Sequence, residues 1–180
     1  NFCELNKEEF LEIKRQIAEY KKWRQVLQFG RMYRGRQDNL YEWTAVSEDQ
    51  KAAVGMLAQK LTAANAPYAC YHAAGLAPEK CYHFYNQPMK HDIREFGDLI
   101  NTAAPIHIRK DSFIHHAVAK FVKMDGETED YLVYGDGLMQ AGVNLKQAFS
   151  ATGYNSEVRY FPDFASRMYF MEEQDESGVL

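Results

Sequence analysis

Apolar residues recur at helical spacing near the start of the chain and then switch to alternation. Phe10, Ile13, Ile17, Tyr20 and Leu27 form one stripe of a predicted α-helix, extended by Trp23, with Lys14, Arg15, Lys21 and Lys22 on its wet sides. Asn6 is placed to cap it, Glu9 to complete a capping box and Gly30 to stop it. From Lys7 to Phe29 such a helix runs roughly 35 Å, since each residue rises about 1.5 Å. After Gly30 the period falls to two. Met32 and Tyr33, then Leu40 to Val46, read as strand; Ser47 to Gln50 is a turn, and Ala52 to Leu61 returns as a second arm. Ala66-Pro67 breaks that arm. Tyr68 to Ala73 and Cys81 to Tyr85 flank the turn Gly75 to Lys80 and are predicted to pair as a hairpin. Successive antiparallel hairpins build a sandwich or a barrel.

Helical spacing then returns between Asp92 and Met124. Ile93, Phe96, Leu99 and Ile100 predict a short helix that ends before Pro105. Phe113, Ile114, Ala117, Val118 and Phe121 predict a second, with Asp111 as its cap. Asp125-Gly126 is a turn, Tyr131 to Tyr134 a strand, and Val143 to Gln147 and Ser166 to Met171 are the last strand candidates. The acidic tail from Glu172 to Leu180 is expected to fray. No linker, low-complexity tract or solenoid repeat interrupts this order.

Composition narrows the picture. With 46% hydrophobic and 26% charged residues over 180 positions, the chain has the make-up of a folded domain rather than a disordered tail. A net charge of −4 and a pI near 5.9 argue against a nucleic-acid partner. No apolar run reaches the roughly 18–20 residues that cross a bilayer, so no membrane partner is expected. Cys3, Cys70 and Cys81 cannot all pair within the chain, which favours a reducing compartment. Asn1-Phe2-Cys3 reads as the middle of a longer chain, so a true N-terminus is expected upstream.

Candidate chemistry is sparse. Cys70-Tyr71-His72 and Cys81-Tyr82-His83 would place four zinc-type ligands on one face if the predicted hairpin formed. The simpler reading is two ordinary strands with small thiols in the core, and no metal is assigned. His115-His116 reads as a surface pair, its rings about 100° apart on the helix. The carboxylate pairs Asp125 with Glu127 and Glu172 with Glu173 read as solvated charge. There is no G-x-S-x-G elbow and no glycine-rich phosphate loop. Tyr41, Trp43 and Tyr85 are the aromatics that could form a sugar platform, although one sheet face must pack. No catalytic, cofactor-binding or metal residue is therefore assigned, and no cofactor is expected.

An ordered string of motifs adds to this. Val26-Leu-Gln-Phe-Gly-Arg-Met-Tyr33 after a long helix is followed by Trp43-Thr-Ala-Val-Ser-Glu-Asp49 and Gly75-Leu-Ala-Pro-Glu-Lys-Cys-Tyr82. Tyr134-Gly-Asp-Gly-Leu-Met139 with Ala141-Gly142-Val143, and then Phe164-Ala-Ser-Arg-Met-Tyr-Phe170, close the series. Together they resemble the C-terminal region of glycoside hydrolase family 36, the microbial α-galactosidases. The resemblance implies that residues 1–30 are the last helix of a catalytic barrel. It implies that residues 31–180 are a C-terminal β-sandwich with a helical insert at about 92–124, longer than in short members. The fold class is then mainly β (α+β): an antiparallel β-sandwich with a long N-terminal helix and a short helical insert. The parent would be a retaining, cytoplasmic, bacterial and homo-oligomeric enzyme that removes terminal α-galactosyl residues from raffinose-type sugars without a cofactor. In that family the nucleophilic aspartate sits in a Lys-Trp-Asp motif and the acid/base aspartate near a Cys-Ser-x-Gly-Gly motif. Here Lys22-Trp23 is followed by Arg24, and no cysteine precedes a serine. No catalytic residue carries over, and this chain alone is expected to be inactive; its partner is the missing barrel. The alternative from another class is a stand-alone carbohydrate-binding β-sandwich module.

Overall fold

The structure, a computed structural model, describes residues 6–62, 69–99, 101, 107–109, 112–145 and 159–174. Helix α1 (Lys7–Phe29) begins with the expected capping box. Asn6 Oδ1 accepts from the Glu9 N–H at 2.9 Å, and the Glu9 carboxylate accepts from the Asn6 N–H at 2.9 Å. The helix stops where Gly30 turns extended while its N–H still reaches the Val26 carbonyl. Strands β1 (Arg31–Gln37), β2 (Leu40–Val46) and β3 (Ala52–Gln59) follow as the antiparallel meander that the alternation predicts. The β2–β3 turn is held by Ser47, whose Oγ accepts from Lys51 and Ala52 and donates to Asp49.

The predicted hairpin between Tyr68–Ala73 and Cys81–Tyr85 does not form. Strand β4 (Cys70–Tyr71) pairs instead with β9 (Val143–Asn144), and β5 (Cys81–Asn86) joins another sheet. The connection between them turns at the exposed Pro78-Glu79, but the part before that turn is interior. Ala73, Leu76 and Ala77 are buried, and the Tyr82 hydroxyl accepts from the Ala77 N–H and donates to the Gln50 carbonyl. The segment therefore crosses from one layer to the other through the core. In the main sheet, β10 (Ser166–Glu173) lies between β3 and β5, and β8 (Asp130–Tyr134) closes the far edge, in the order β1-β2-β3-β10-β5-β8. The predicted fraying from Glu172 onward is also corrected: β10 continues through Glu173, and Glu172 lies opposite Ala52 and His83. Of the candidate strand Val143–Gln147, Val143 and Asn144 form β9, while Lys146 and Gln147 lie outside the described residues, as do the Ala66-Pro67 break and the end of the tail.

The result is an unequal, mainly antiparallel β-sandwich. On one face of the six-stranded sheet, Tyr82, Phe84, Tyr169, Leu57 and Met171 pack against Tyr71, Leu138 and Val143 of the small second layer. Tyr71 is the keystone of that layer contact. Its hydroxyl bonds Thr44 Oγ1 at 2.7 Å, and it lies where a Cβ at position 55 would stand 1.9 Å away, so only glycine fits there. On the other face Trp23 and Val26 of α1 press on Ala45, Val54 and Phe170.

The insert is a small unit of its own. Strands β6 (Lys90–Asp92) and β7 (Lys123–Asp125) pair, and between them run a 3₁₀ segment, Ile93–Leu99, broken at Gly97, and helix α2 (Phe113–Phe121). The cap of α2 is Ser112, whose Oγ accepts from the His115 N–H at 3.1 Å; the expected cap, Asp111, lies outside the described residues. The face of α2 that is buried carries His115 and Ala119, and the predicted apolar stripe points away from it. The small Ala119 lets the helix sit close on the 3₁₀ segment, where Ile93 and Phe96 already supply the apolar volume.

Candidate functional site

The feature best built for recognition is the groove beside α1. Trp23 is anchored by stacking on Phe170 and by donating its indole N–H to Glu19 at 2.9 Å. Lys22 reaches over the opposite side to the Tyr85 hydroxyl and the Glu172 carboxylate, and Tyr85 itself donates to Glu172 at 2.5 Å. Burial would lower the Lys22 pKa, but these two acceptors hold it up to about 12. Burial likewise pushes Glu172 up, and its bonds from Lys22 and Tyr85 outweigh that and draw it below its ordinary value. About two turns from the start of α1, Arg15 donates to Gln87 and forks onto Glu12, whose pKa falls to about 2 through that bond.

Between these anchors the helix stands off the sheet. A cavity of about 420 Å³ remains, walled by Tyr20, Trp23 and Leu27 from α1 and by Met89, Met168 and Phe170 from below. Strand register carries the apolar surface onward. Met168 lies opposite Met56, Met56 opposite Trp43, and Trp43 opposite Arg34, giving one row across four strands on the helix side of the sheet. Met168 and Met32 are exposed on this face, as are Phe10, Leu11, Ile17 and Tyr20 along the N-terminal half of α1. Exposed apolar residues in this number leave the face open to a contact.

The other candidates are dispersed. Cys70 and His72 lie in the second layer, with Sγ 3.7 Å from Nε2, and His72 Nδ1 faces Gln37 at 2.9 Å and Glu42 at 4.0 Å. Cys81 and His83 lie in the main sheet, where His83 bonds Asp130 and stacks on Tyr85. The failed hairpin is the reason the four do not converge, and among the described residues no group of three or more ligands is arranged for a metal. Cys70 and Cys81 are free thiols, and burial pushes that of Cys70 up. Tyr41 and Trp43 share a face as alternation requires, but Trp43 is drawn into the α1 contact, and Arg36 covers the Tyr41 ring at 5.2 Å. Tyr85 is enclosed by His83, Phe170 and Lys22. The expected surface pair is split: His116 is exposed, while His115 is only 1% exposed.

Glu127 is a further correction. Expected in solvent, it is 2% exposed and accepts from Arg167 Nε at 2.6 Å, with Glu129 buried nearby and Asn86 bonding the backbone of both acids. The signal was present in the alternation. Stepping back by twos from the inward-facing Val133 and Tyr131 reaches Glu129 and then Glu127.

The family model described as the glycosyl hydrolase family 36 C-terminal domain matches residues 40–171. The chain belongs to glycosyl hydrolase family 36. Among solved structures, this family 36 domain is similar to the α-galactosidase from Lactobacillus brevis, with 24% identity and a TM-score of 0.59 over 98% of this chain and 18% of that one. It is also similar to AgaA from Geobacillus stearothermophilus, a GH36 α-galactosidase solved with raffinose, at 21% identity and TM-score 0.58 over 97% of this chain and 17% of that one. AgaB from the same organism gives 23% identity and TM-score 0.58 over 96% and 17%. At these identities the likeness speaks for the fold alone, and the family 36 domain spans less than a fifth of each of these chains. A comparison with the curated proteins finds no match.

Proposed function

We propose that the chain is the C-terminal accessory domain of a retaining α-galactosidase, and that the groove face braces the parent's catalytic barrel. The observation that carries this reading is the apolar row Trp43–Met56–Met168 continuing beneath a helix whose own N-terminal half is uncovered. A helix from a barrel's outer ring presents its stripe to the barrel. The family match beginning at residue 40 leaves α1 outside it, in keeping with a helix that belongs to the barrel. The parent would cleave terminal α-galactosides by double displacement between two carboxylates supplied by the barrel, without a cofactor. The free thiols suit the cytoplasm of a bacterium.

The test is complementation. The 180-residue chain should not turn over a chromogenic α-galactoside by itself. Added to the separately produced region encoded upstream of Asn1, it should bind and raise that region's thermal stability. Met168→Glu, on the exposed part of the row, should weaken that binding. Turnover by the repurified chain alone, or binding indifferent to Met168→Glu, would remove the reading.

A further inference from the structure

We propose that α2 is a self-recognition element through which two copies of this chain meet, antiparallel, about a two-fold axis beside Ala117. Phe113 and Phe121 are each 88% exposed and Ile114 is 64% exposed. Phe113 and Phe121 flank Ala117 on the side opposite the face that seats α2 on the insert, where His115 and Ala119 are buried, and Ile114 lies at the edge of that side. The helix thus has two contact faces, and the described residues use one.

The spacing is self-complementary. Phe113 lies four residues before Ala117 and Phe121 four after it. In an antiparallel pair crossing at Ala117, Phe113 of one copy rests on the partner's Phe121, and the reverse contact follows from the symmetry. The small residue sits where the helices come nearest, which permits an axis separation of about 8–10 Å. Antiparallel helix dipoles favour the same arrangement. Charge agrees as well. The chain carries −4 overall, yet Ser112 to Val122 contains no acidic residue, so the copies meet where their like charge is absent. Lys120, three residues after Ala117, falls at opposite ends of the pair.

The area suffices. A phenylalanine buries about 150–250 Å². Two of them, with Ile114, offer on the order of 500 Å² per copy, which reaches the roughly 1,000 Å² total of a specific interface. The proposal goes beyond the bracing of the barrel and involves a different surface, so either can fail alone.

Sedimentation of the 180-residue chain from micromolar to submillimolar concentration should show a monomer–dimer equilibrium. Phe113→Glu and Phe121→Glu should each weaken it about a hundredfold or more, since symmetry counts each loss twice, with far-UV circular dichroism unchanged. Met168→Glu should leave it intact. Ala117→Cys, in a Cys3→Ser, Cys70→Ser background, should give a disulfide-linked dimer on mild oxidation that the background alone does not give. A chain that stays monomeric overturns the proposal. So does a dimer that survives both glutamates, one that Met168→Glu abolishes, or one that Ala117→Cys does not link.

Discussion

Trp23 lies nearly flat against Phe170, with ring centroids 5.0 Å apart and planes inclined by 28°, and this stack fastens the long helix to an interior strand of the sheet. The indole is 3% exposed. Its loss removes buried area and extends the neighbouring groove into the core. Trp23→Ala is expected to lower the unfolding free energy by about 3–5 kcal/mol, seen as a lower urea midpoint at unchanged slope. A shift below about 1 kcal/mol would mean that the stack contributes little.

The first half of the same helix should behave differently. Phe10, Leu11, Ile17 and Tyr20 are exposed, and the buried anchors Trp23 and Val26 lie beyond them. Deleting residues 1–20 is expected to leave the β-domain folded, with its strand circular dichroism and cooperative melt retained. Loss of the cooperative transition would show that the whole helix belongs to this core.

The Lys22–Glu172–Tyr85 clip sets a pH dependence. Glu172 is held below its ordinary 4.5, so its contribution is present above that value and is lost as pH falls through the lower, folded one. The pair is partly exposed, which limits it to under about 1 kcal/mol. Glu172→Gln should therefore melt slightly lower than the wild-type chain at neutral pH, and the gap should close as pH drops below about 4.5. Lys22, raised to about 12, gives the opposite limb: its contribution is whole below about 10.5 and lost as pH rises through 12. A gap that stays constant through the acid range would contradict this.

Arg167 and Glu127 are both almost fully buried. Removing one partner strands the other's charge in the core. Arg167→Met is expected to cost about 3–5 kcal/mol, and the double variant Arg167→Met, Glu127→Leu to regain much of it, as read from a double-mutant cycle in urea. Additive costs would show that the two charges are not coupled.

What was legible in the sequence is what local chemistry decides. The capping box at Asn6 and Glu9, the stop at Gly30 and the meander from β1 to β3 depend on neighbours in sequence and came out as read. Period two identified the segments around Cys70 and Cys81 as extended, but it carries no information on which strand pairs with which. The choice between a local turn and a crossing was made by long-range packing of Tyr71 and Tyr82. The stripe on α2 is a similar case: spacing reveals that it exists, but burial of the opposite face, His115 and Ala119, depends on contacts with the 3₁₀ segment that spacing does not encode. The apolar row of the groove was visible as alternating positions, while its continuity across strands depends on a register that sequence alone does not give.

The place of β10 has a consequence for how the protein is made. Ser166 lies opposite Ala58, and the same strand lies against β5, so the interior of the sheet is filled by the strand synthesised after all its other members. At about 5–20 residues per second, the stretch between β3 and β10 takes roughly 5–20 s to synthesise. Until β10 is made, β3 and, once synthesised, β5 each keep a bare edge, and an unpaired edge is a template for the wrong strand. The sheet is therefore completed by a zip-up rather than a growth step: two half-sheets wait, and one late strand joins them. Pausing before β10 is made lengthens the time at risk, and a message broken there yields two half-sheets with open edges that nothing joins.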